Sequence, residues 1–218
     1  MTDHPVQRLR RLDACALSDA LDSLQLPGAV TGIRQRSGTG RVAGRAVTMK
    51  VGPGTPPPGP PVHLGCRAIE QAGPDDLIVV SQRSGVEAGC WGGLLTLGAS
   101  LRGVAGVIAD GPLRDVDEAM AYGFPVWARS LTSLTARGRV VELGTQVPVE
   151  IGTILVHPGD YLLADRSAVI VIAAADIARV LDAAEAIVAK EAAMAKALLA
   201  GTPIGQVMGG HYENMLKR

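Results

Sequence analysis

Arg114 and Asp115 stand side by side just after an apolar run, Gly106-Val107-Ile108-Ala109, that passes into Asp110-Gly111-Pro112-Leu113. A guanidinium carries a planar fork of N–H donors matched to carboxylates and oxyanions, and an aspartate offers the hard oxygen that magnesium and manganese prefer. Unpaired charge is costly inside a strand, so Asp110, Arg114 and Asp115 are expected just past the carboxyl end of a strand over 104–109, where open parallel sheets place their ligands. Gly92-Gly93-Leu94-Leu95 belongs to the same edge and opens a helical stretch. Two glycines let a ligand approach the backbone closely, and the free N–H groups of a first helical turn favour an anion. A small carboxylate docked on that turn, Arg114 neutralising it or an adjacent oxyanion, and Asp115 holding a cation that keeps several waters form one coherent site. The plain structural alternatives are that Asp115 caps the helix behind it and that Asp110 is a turn residue.

These residues need elements to hold them. The run 77–80 is apolar and branched, a buried strand that continues to Ser81; a glycine-flanked helix over 92–101 and the strand over 104–109 follow. Strand, helix and strand in that order predict a right-handed βαβ unit with parallel strands. Upstream, Leu9, Leu12, Ala16, Leu17, Ala20, Leu21 and Leu24 recur at helical spacing, with Asp13 placed to cap a second short helix that carries Asp19 and Asp22. A strand is predicted over 42–49, a loop over the proline-rich 52–61, and a helix over 66–72. Downstream the patterns predict a helix over 116–122 and short strands over 125–127, 139–142, 147–149, 154–156, 161–163 and 169–172, with His157-Pro158-Gly159-Asp160 as a turn. An Ala-rich helix over 175–199 closes the pattern at Gly201-Thr202-Pro203. One domain over 1–218 is the expected organisation.

Composition narrows the function classes. Acidic and basic residues balance at 21 each, so no global field exists to hold nucleic acid or an anionic membrane. Aromatics make up 3% of the chain, which argues against base stacking. The N-terminus lacks the basic start and apolar run of a signal peptide, and no apolar stretch reaches the roughly 18 residues of a membrane span, so a cytoplasmic location is expected. Cys15, Cys66 and Cys90 form no Cys-x-x-Cys and are expected to be buried free thiols; the four histidines form no i, i+4 pair. His63 and Cys66, beside the proline-rich loop, are a weak alternative ligand set. No Walker-type Gly-Lys-Ser/Thr is present, and the glycines at 38, 40 and 44 do not fit Gly-x-Gly-x-x-Gly.

Gly92-Gly93-Leu94-Leu95, followed by Gly103 to Gly111 and Arg114-Asp115-Val116-Asp117-Glu118, resembles the RraA-like superfamily, and the likeness extends through Gly123-Phe124-Pro125-Val126-Trp127, the Pro158-Gly159-Asp160 turn and the C-terminal helix. That group joins 4-hydroxy-4-methyl-2-oxoglutarate and 4-carboxy-4-hydroxy-2-oxoadipate aldolases to regulators of ribonuclease E. The resemblance implies an α/β fold of layered β/β/α type, the swivelling RraA-like domain, assembled as a homotrimer or homohexamer with the site between neighbouring subunits. It implies that Gly92, Gly93, Leu94 and Leu95 give backbone contacts to a 2-oxo acid, that Arg114 binds the substrate, and that Asp115 meets a divalent cation, Mg2+ or Mn2+. Asp19 and Glu191 fall where family aldolases place acids that reach the site, Glu191 from the adjoining subunit. The implied chemistry is that of a class II aldolase: retro-aldol cleavage that forms the enolate of pyruvate, with oxaloacetate decarboxylation passing through the same enolate.

Three departures bear on that reading, one of them the proline-rich loop before His63, which is unlike the usual family pattern. Family aldolases usually carry an acid at the position of Gly93 and an asparagine near the place of Val62, and neither polar group is present. Three readings follow: the metal-dependent lyase, a catalytically silent regulator that binds a protein such as ribonuclease E, and a lyase or hydratase recruited to another pathway.

Overall fold

The computed structural model describes residues 4–60 and 62–209. Its first helices, α1 (Pro5–Leu9) and α2 (Ala14–Ser23), are separated at Asp13, whose side chain accepts from the Ala16 amide at 2.9 Å, the cap that the spacing predicted. Two strands without an expected counterpart, β1 (Ala29–Val30) and β2 (Arg34–Ser37), precede the long β3 (Val42–Gly52). β1 is too short to show a period, and β2 reads Arg-Gln-Arg-Ser because it lies at a sheet edge, where polar side chains are tolerated.

The predicted alternation then appears as α3 (Cys66–Gln71), β4 (Asp76–Ser81), α4 (Gly93–Leu101), β5 (Gly106–Leu113), α5 (Val116–Ala121) and β6 (Val126–Leu131). After it come β7 (Val141–Thr145), a hairpin of β8 (Val149–Ile151) and β9 (Ile154–Val156), the antiparallel pair β10 (Tyr161–Ala164) and β11 (Val169–Ile172), then α6 (Ile177–Leu199) and the unexpected short α7 (Ile204–Val207). β7 and β8 each begin two residues later than the pattern suggested.

β3, β4, β5 and β6 run parallel at the centre of a sheet ordered β1-β11-β10-β3-β4-β5-β6-β2, and β7 pairs with the far half of β3. Alternate residues of these strands enter different cores. Ile78, Val80, Val107 and Ala109 face α3, α4 and α5, whereas Leu77, Val79, Ile108 and Trp127 face an inner core closed by the β8–β9 hairpin. A third core holds α1, α2 and α6 against β10, β11 and the start of β3. Burial on both faces explains why β4 reads as an unbroken apolar run rather than an alternating one. The result is the expected layered β/β/α architecture: a curled sheet with a β-lined interior and two helical layers outside it.

One expectation fails. β5 does not stop at Ala109 but runs through Asp110 to Leu113, so Asp110 sits inside a strand with 1% of its surface exposed. The buried charge is compensated: Asp110 accepts from the Arg129 guanidinium and from the Gly152 amide at 2.7 Å, and Arg83 Nε lies 3.4 Å away. Fully bonded on both oxygens, it is structural rather than free to act. No helix among the described residues is long and apolar enough to cross a membrane.

Candidate active site

The carboxyl end of β5 is held in place by a strand-like contact with the segment before α4. Cys90 donates its amide to the Pro112 carbonyl and Arg114 donates its amide to the Trp91 carbonyl, both at 2.9 Å. Arg114 and Asp115 are thereby carried past the sheet to the first turn of α4. The Trp91 indole donates to Thr96 Oγ1 at 3.0 Å, and that hydroxyl donates to the Gly92 carbonyl at 2.9 Å, which fixes the turn itself. Gly92 has no side chain with which to cap α4. The cap comes instead from Asp115, whose Oδ2 accepts from the Gly93 amide at 3.0 Å. Asp115 occupies the N-cap position of α5, yet its side chain makes no capping bond there, so the simpler capping alternative is not what the structure contains. Its backbone sits in the left-handed region at φ 56°, a conformation that costs a non-glycine residue about 1 kcal/mol.

A cleft of about 270 Å³ opens at this point, lined by Gly89, Gly92, Gly93, Leu94, Leu95, Arg114 and Asp115 on one side and by His63, Thr135, Ala136 and Arg137 on the other. Arg114 Nη2 lies 3.8 Å from Asp115 Oδ1, while Arg114 Nε is buried and has no hydrogen-bond partner among the described residues. No backbone carbonyl accepts from the Leu94 or Leu95 amide either. A buried guanidinium donor without an acceptor is rare enough to need an explanation, and an anionic ligand supplies one.

The glycines act differently from expectation. A Cβ at Gly89 would stand 2.4 Å from Arg114 Cγ, and one at Gly92 would stand 2.9 Å from Asp115 Oδ2. Their first role is to admit the chain's own Arg114 and Asp115. Because Asp115 already takes the Gly93 amide, the donors left for a bound carboxylate are those of Leu94 and Leu95.

Sequence reasoning missed Arg137 and Thr135. They sit on the loop between β6 and β7, brought to the cleft by backbone bonds from Thr132 to Leu113 and from Gly89 to Leu134. The only trace of them in the sequence is the basic pair flanking Gly138. His63 and Leu64 are placed by Glu142, buried at 5% exposure, which accepts from the Gly65 amide at 2.8 Å and from Arg67 at 3.3 Å. Cys66 does not line the cleft, and burial, with Glu70 and Glu142 nearby, pushes its thiol up. Burial pushes the Cys90 thiol up to about 12, so it stays protonated; Cys15, expected to be buried, is exposed.

Asp19 and Glu191 do not line the cleft within one chain. Asp19 is half-buried on α2, where burial first, and then Asp22 and Asp13, hold its carboxyl above the ordinary range. Glu191 is exposed on α6, the helix that packs on α2 in the other helical layer. Among the described residues no three His, Cys, Asp or Glu side chains converge as a metal cage. That donor set does not suit zinc. It does suit a magnesium or manganese ion that takes one or two carboxylates and keeps its waters, because Asp115 keeps about a third of its side chain exposed at the cleft.

A family model described as Aldolase/RraA matches residues 14–171, which contain every residue that lines the cleft. The chain belongs to the RraA-like family. Glu191 lies outside the matched span. Protein DlpA of Legionella pneumophila is 26% identical over 201 residues, covering 92% of this chain and 32% of DlpA, so the chain spans about a third of that relative. A Halalkalibacterium halodurans protein with the name "Putative 4-hydroxy-4-methyl-2-oxoglutarate aldolase" is 27% identical over 168 residues, 77% of this chain and 75% of its own length. Among solved structures, an uncharacterized protein from Pseudomonas syringae pv. tomato superposes with a TM-score of 0.83 at 28% identity, covering 94% of this chain and 96% of its own. RraA-like membership thus carries both the layered fold and an association with aldolase names.

Proposed function

We propose that this chain is a divalent-metal-dependent carbon–carbon lyase that cleaves a small 2-oxo dicarboxylate and releases pyruvate. The observation that carries the proposal is the buried, unpartnered Nε of Arg114 in a cleft shared with Asp115 and the open amides of α4. The aldolase names among RraA-like relatives support it.

In this reading the Leu94 and Leu95 amides hold the substrate carboxylate next to the 2-oxo group, aided by the positive end of α4. Arg114 donates to the 2-oxo oxygen and stabilises the enolate charge that develops there as the C3–C4 bond breaks. The C4 hydroxyl gives its proton to a carboxylate brought by a neighbouring copy, Asp19 or Glu191, and the enolate takes a proton at C3 to leave as pyruvate, whereas oxaloacetate loses C4 as CO2 and is protonated at the same carbon. Asp115 would hold the cation, Mg2+ or Mn2+, which when bound supplies Lewis-acid polarisation of the same carbonyl. Arg137, on the facing wall and without an ion-pair partner among the described residues, faces the far carboxylate. Leu64, Trp91, Leu94, Leu95 and Ala136 form the apolar part of the lining and limit the water around the developing enolate. Asp19 and Glu191 enter the site in this proposal through a second copy of the chain, whose α2–α6 layer meets the cleft in a homotrimer or homohexamer.

The deciding assay is pyruvate release from oxaloacetate and from 4-hydroxy-4-methyl-2-oxoglutarate, with Mg2+ or with chelator. The expected result is metal-dependent turnover that falls about 100-fold or more in Arg114→Ala and is lost in Asp115→Ala. Turnover indifferent to both substitutions would remove the cleft from the chemistry. Oxalate binding without turnover would favour the regulator reading, which the glycine at position 93 also supports.

A further inference from the structure

The first turn of α4 has an occupant that neither the cleft lining nor the sequence pattern singles out. A Cβ built at Gly93 would stand 1.8 Å from Glu118 Oε2, 2.6 Å from Glu118 Cδ and 3.3 Å from Asp115 Cβ. The space that a side chain at position 93 would fill is therefore taken by the carboxylate of Glu118, reaching across from the first turn of α5. Asp115 and Glu118 are three residues apart, so their side chains leave the same side of that turn and converge on Gly93. No hydrogen bond or ion pair engages the Glu118 carboxylate among the described residues. Two acids thus flank one glycine, opposed by a single guanidinium contact at 3.8 Å, an arrangement that like-charge repulsion disfavours and a cation between them reverses.

We infer that Glu118 is a positioning residue of the cation site: it supplies from α5 the acid that position 93 lacks, and it accepts a hydrogen bond from water on the cation held at Asp115. The inference rests on the proposed role of Asp115. It also gives Gly93 a reason, since any side chain there would evict the glutamate.

The test is titration of Mn2+ into the metal-stripped full chain, followed by calorimetry and by the Mn2+ electron paramagnetic resonance signal, with pyruvate release measured alongside. Glu118→Gln is expected to weaken Mn2+ binding about tenfold or more, the usual effect of losing an outer partner of a metal site. Gly93→Ala removes no charge and favours the helix, yet its methyl group takes the carboxylate's seat; it should weaken Mn2+ binding to a similar degree without lowering the melting temperature. The double variant Gly93→Asp, Glu118→Ala should return binding close to the starting value. If the unaltered chain binds no Mn2+, or Asp115→Ala binds it as well as the unaltered chain does, the cation reading fails first and this inference goes with it. If Asp115→Ala abolishes binding while Glu118→Gln and Gly93→Ala leave it unchanged, Glu118 has no part in the site and the cation reading stands.

Discussion

Nε of Arg114 is the one buried side-chain polar atom without a partner among the described residues, and a donor in that state costs about 1–3 kcal/mol until an acceptor arrives. Gly89 holds it there, because the stem of Arg114 lies where a Cβ would stand 2.4 Å from Cγ and 2.5 Å from Cδ. Gly89→Ala is expected to shift the guanidinium and lower kcat/KM for pyruvate release about tenfold or more, with Mn2+ binding at Asp115 retained. Unaltered kinetics in that variant would mean that Gly89 does not set the position of Arg114. Asp115 separates stability from function in another way. At φ 56° it is strained, and glycine relieves that strain where alanine does not. Asp115→Gly should therefore be more stable than Asp115→Ala by about 1 kcal/mol in denaturant titrations, although both lose the cap on α4 and the cation. Equal midpoints would place the backbone strain elsewhere.

Between elements, Asp110 joins three parts of the molecule: its own strand β5, Arg129 on β6, and the Gly152 turn of the β8–β9 hairpin. Asp110→Ala removes the buried acceptor shared by the Gly152 amide, Arg129 and Arg83; the two guanidiniums are about two-fifths exposed and can turn to solvent, so the expected cost is about 1–3 kcal/mol, read as a lower urea midpoint at unchanged m-value. A loss below about 1 kcal/mol would mean that water compensates the pair. On the outer layer, Arg8 on α1 bonds Glu185 and Asp182 on α6, each at 2.7 Å. Its hydrogen bond holds the Glu185 carboxyl below the ordinary range, so the pair contributes stability above the unfolded carboxyl pKa and loses it as pH falls through the folded one. The residues are partly exposed, so Arg8→Ala should lower stability at neutral pH by no more than about 1 kcal/mol, a difference that shrinks toward strongly acid pH. The strand–helix–strand core was legible because β4, α4 and β5 carry their periodicity in consecutive residues. The end of β5 was not. The guanidinium that compensates Asp110 comes from residue 129, and a charge reads as a strand end when its partner is remote in sequence. β2 was hidden for the opposite reason, as an edge strand made of polar residues.

At the scale of the whole molecule, the legible part of the site is the part that lies in continuous sequence: the Gly92 turn and the Arg114-Asp115 pair. Arg137, Thr135 and His63 reach the cleft only through loop placement, and Glu118 reaches it only because Gly93 leaves room; no local pattern encodes either. Asp19 and Glu191 pose a different problem, since both belong to the helical layer formed by α2 and α6, which does not line this chain's own cleft. The buried positions of α6 end at Ile187, and the helix continues to Leu199, which is 90% exposed. Its last turns therefore carry Ala192, Ala193, Ala195, Leu198 and Leu199 in solvent, an apolar surface that the proposed assembly assigns to a second copy. If Glu191 completes a neighbour's site, Arg114→Ala and Glu191→Ala damage opposite halves of a shared centre. Each variant alone should be nearly inactive. Mixed, dissociated and reassembled, they should recover activity at about one site in four, because some interfaces then pair an intact cleft with an intact Glu191. Light scattering on the same samples should give a mass that is a multiple of the 22.5 kDa chain. A monomeric mass, or full activity in Glu191→Ala, would confine the site to a single chain, with Arg114, Asp115, Arg137 and the carboxylate over Gly93 as its charged machinery.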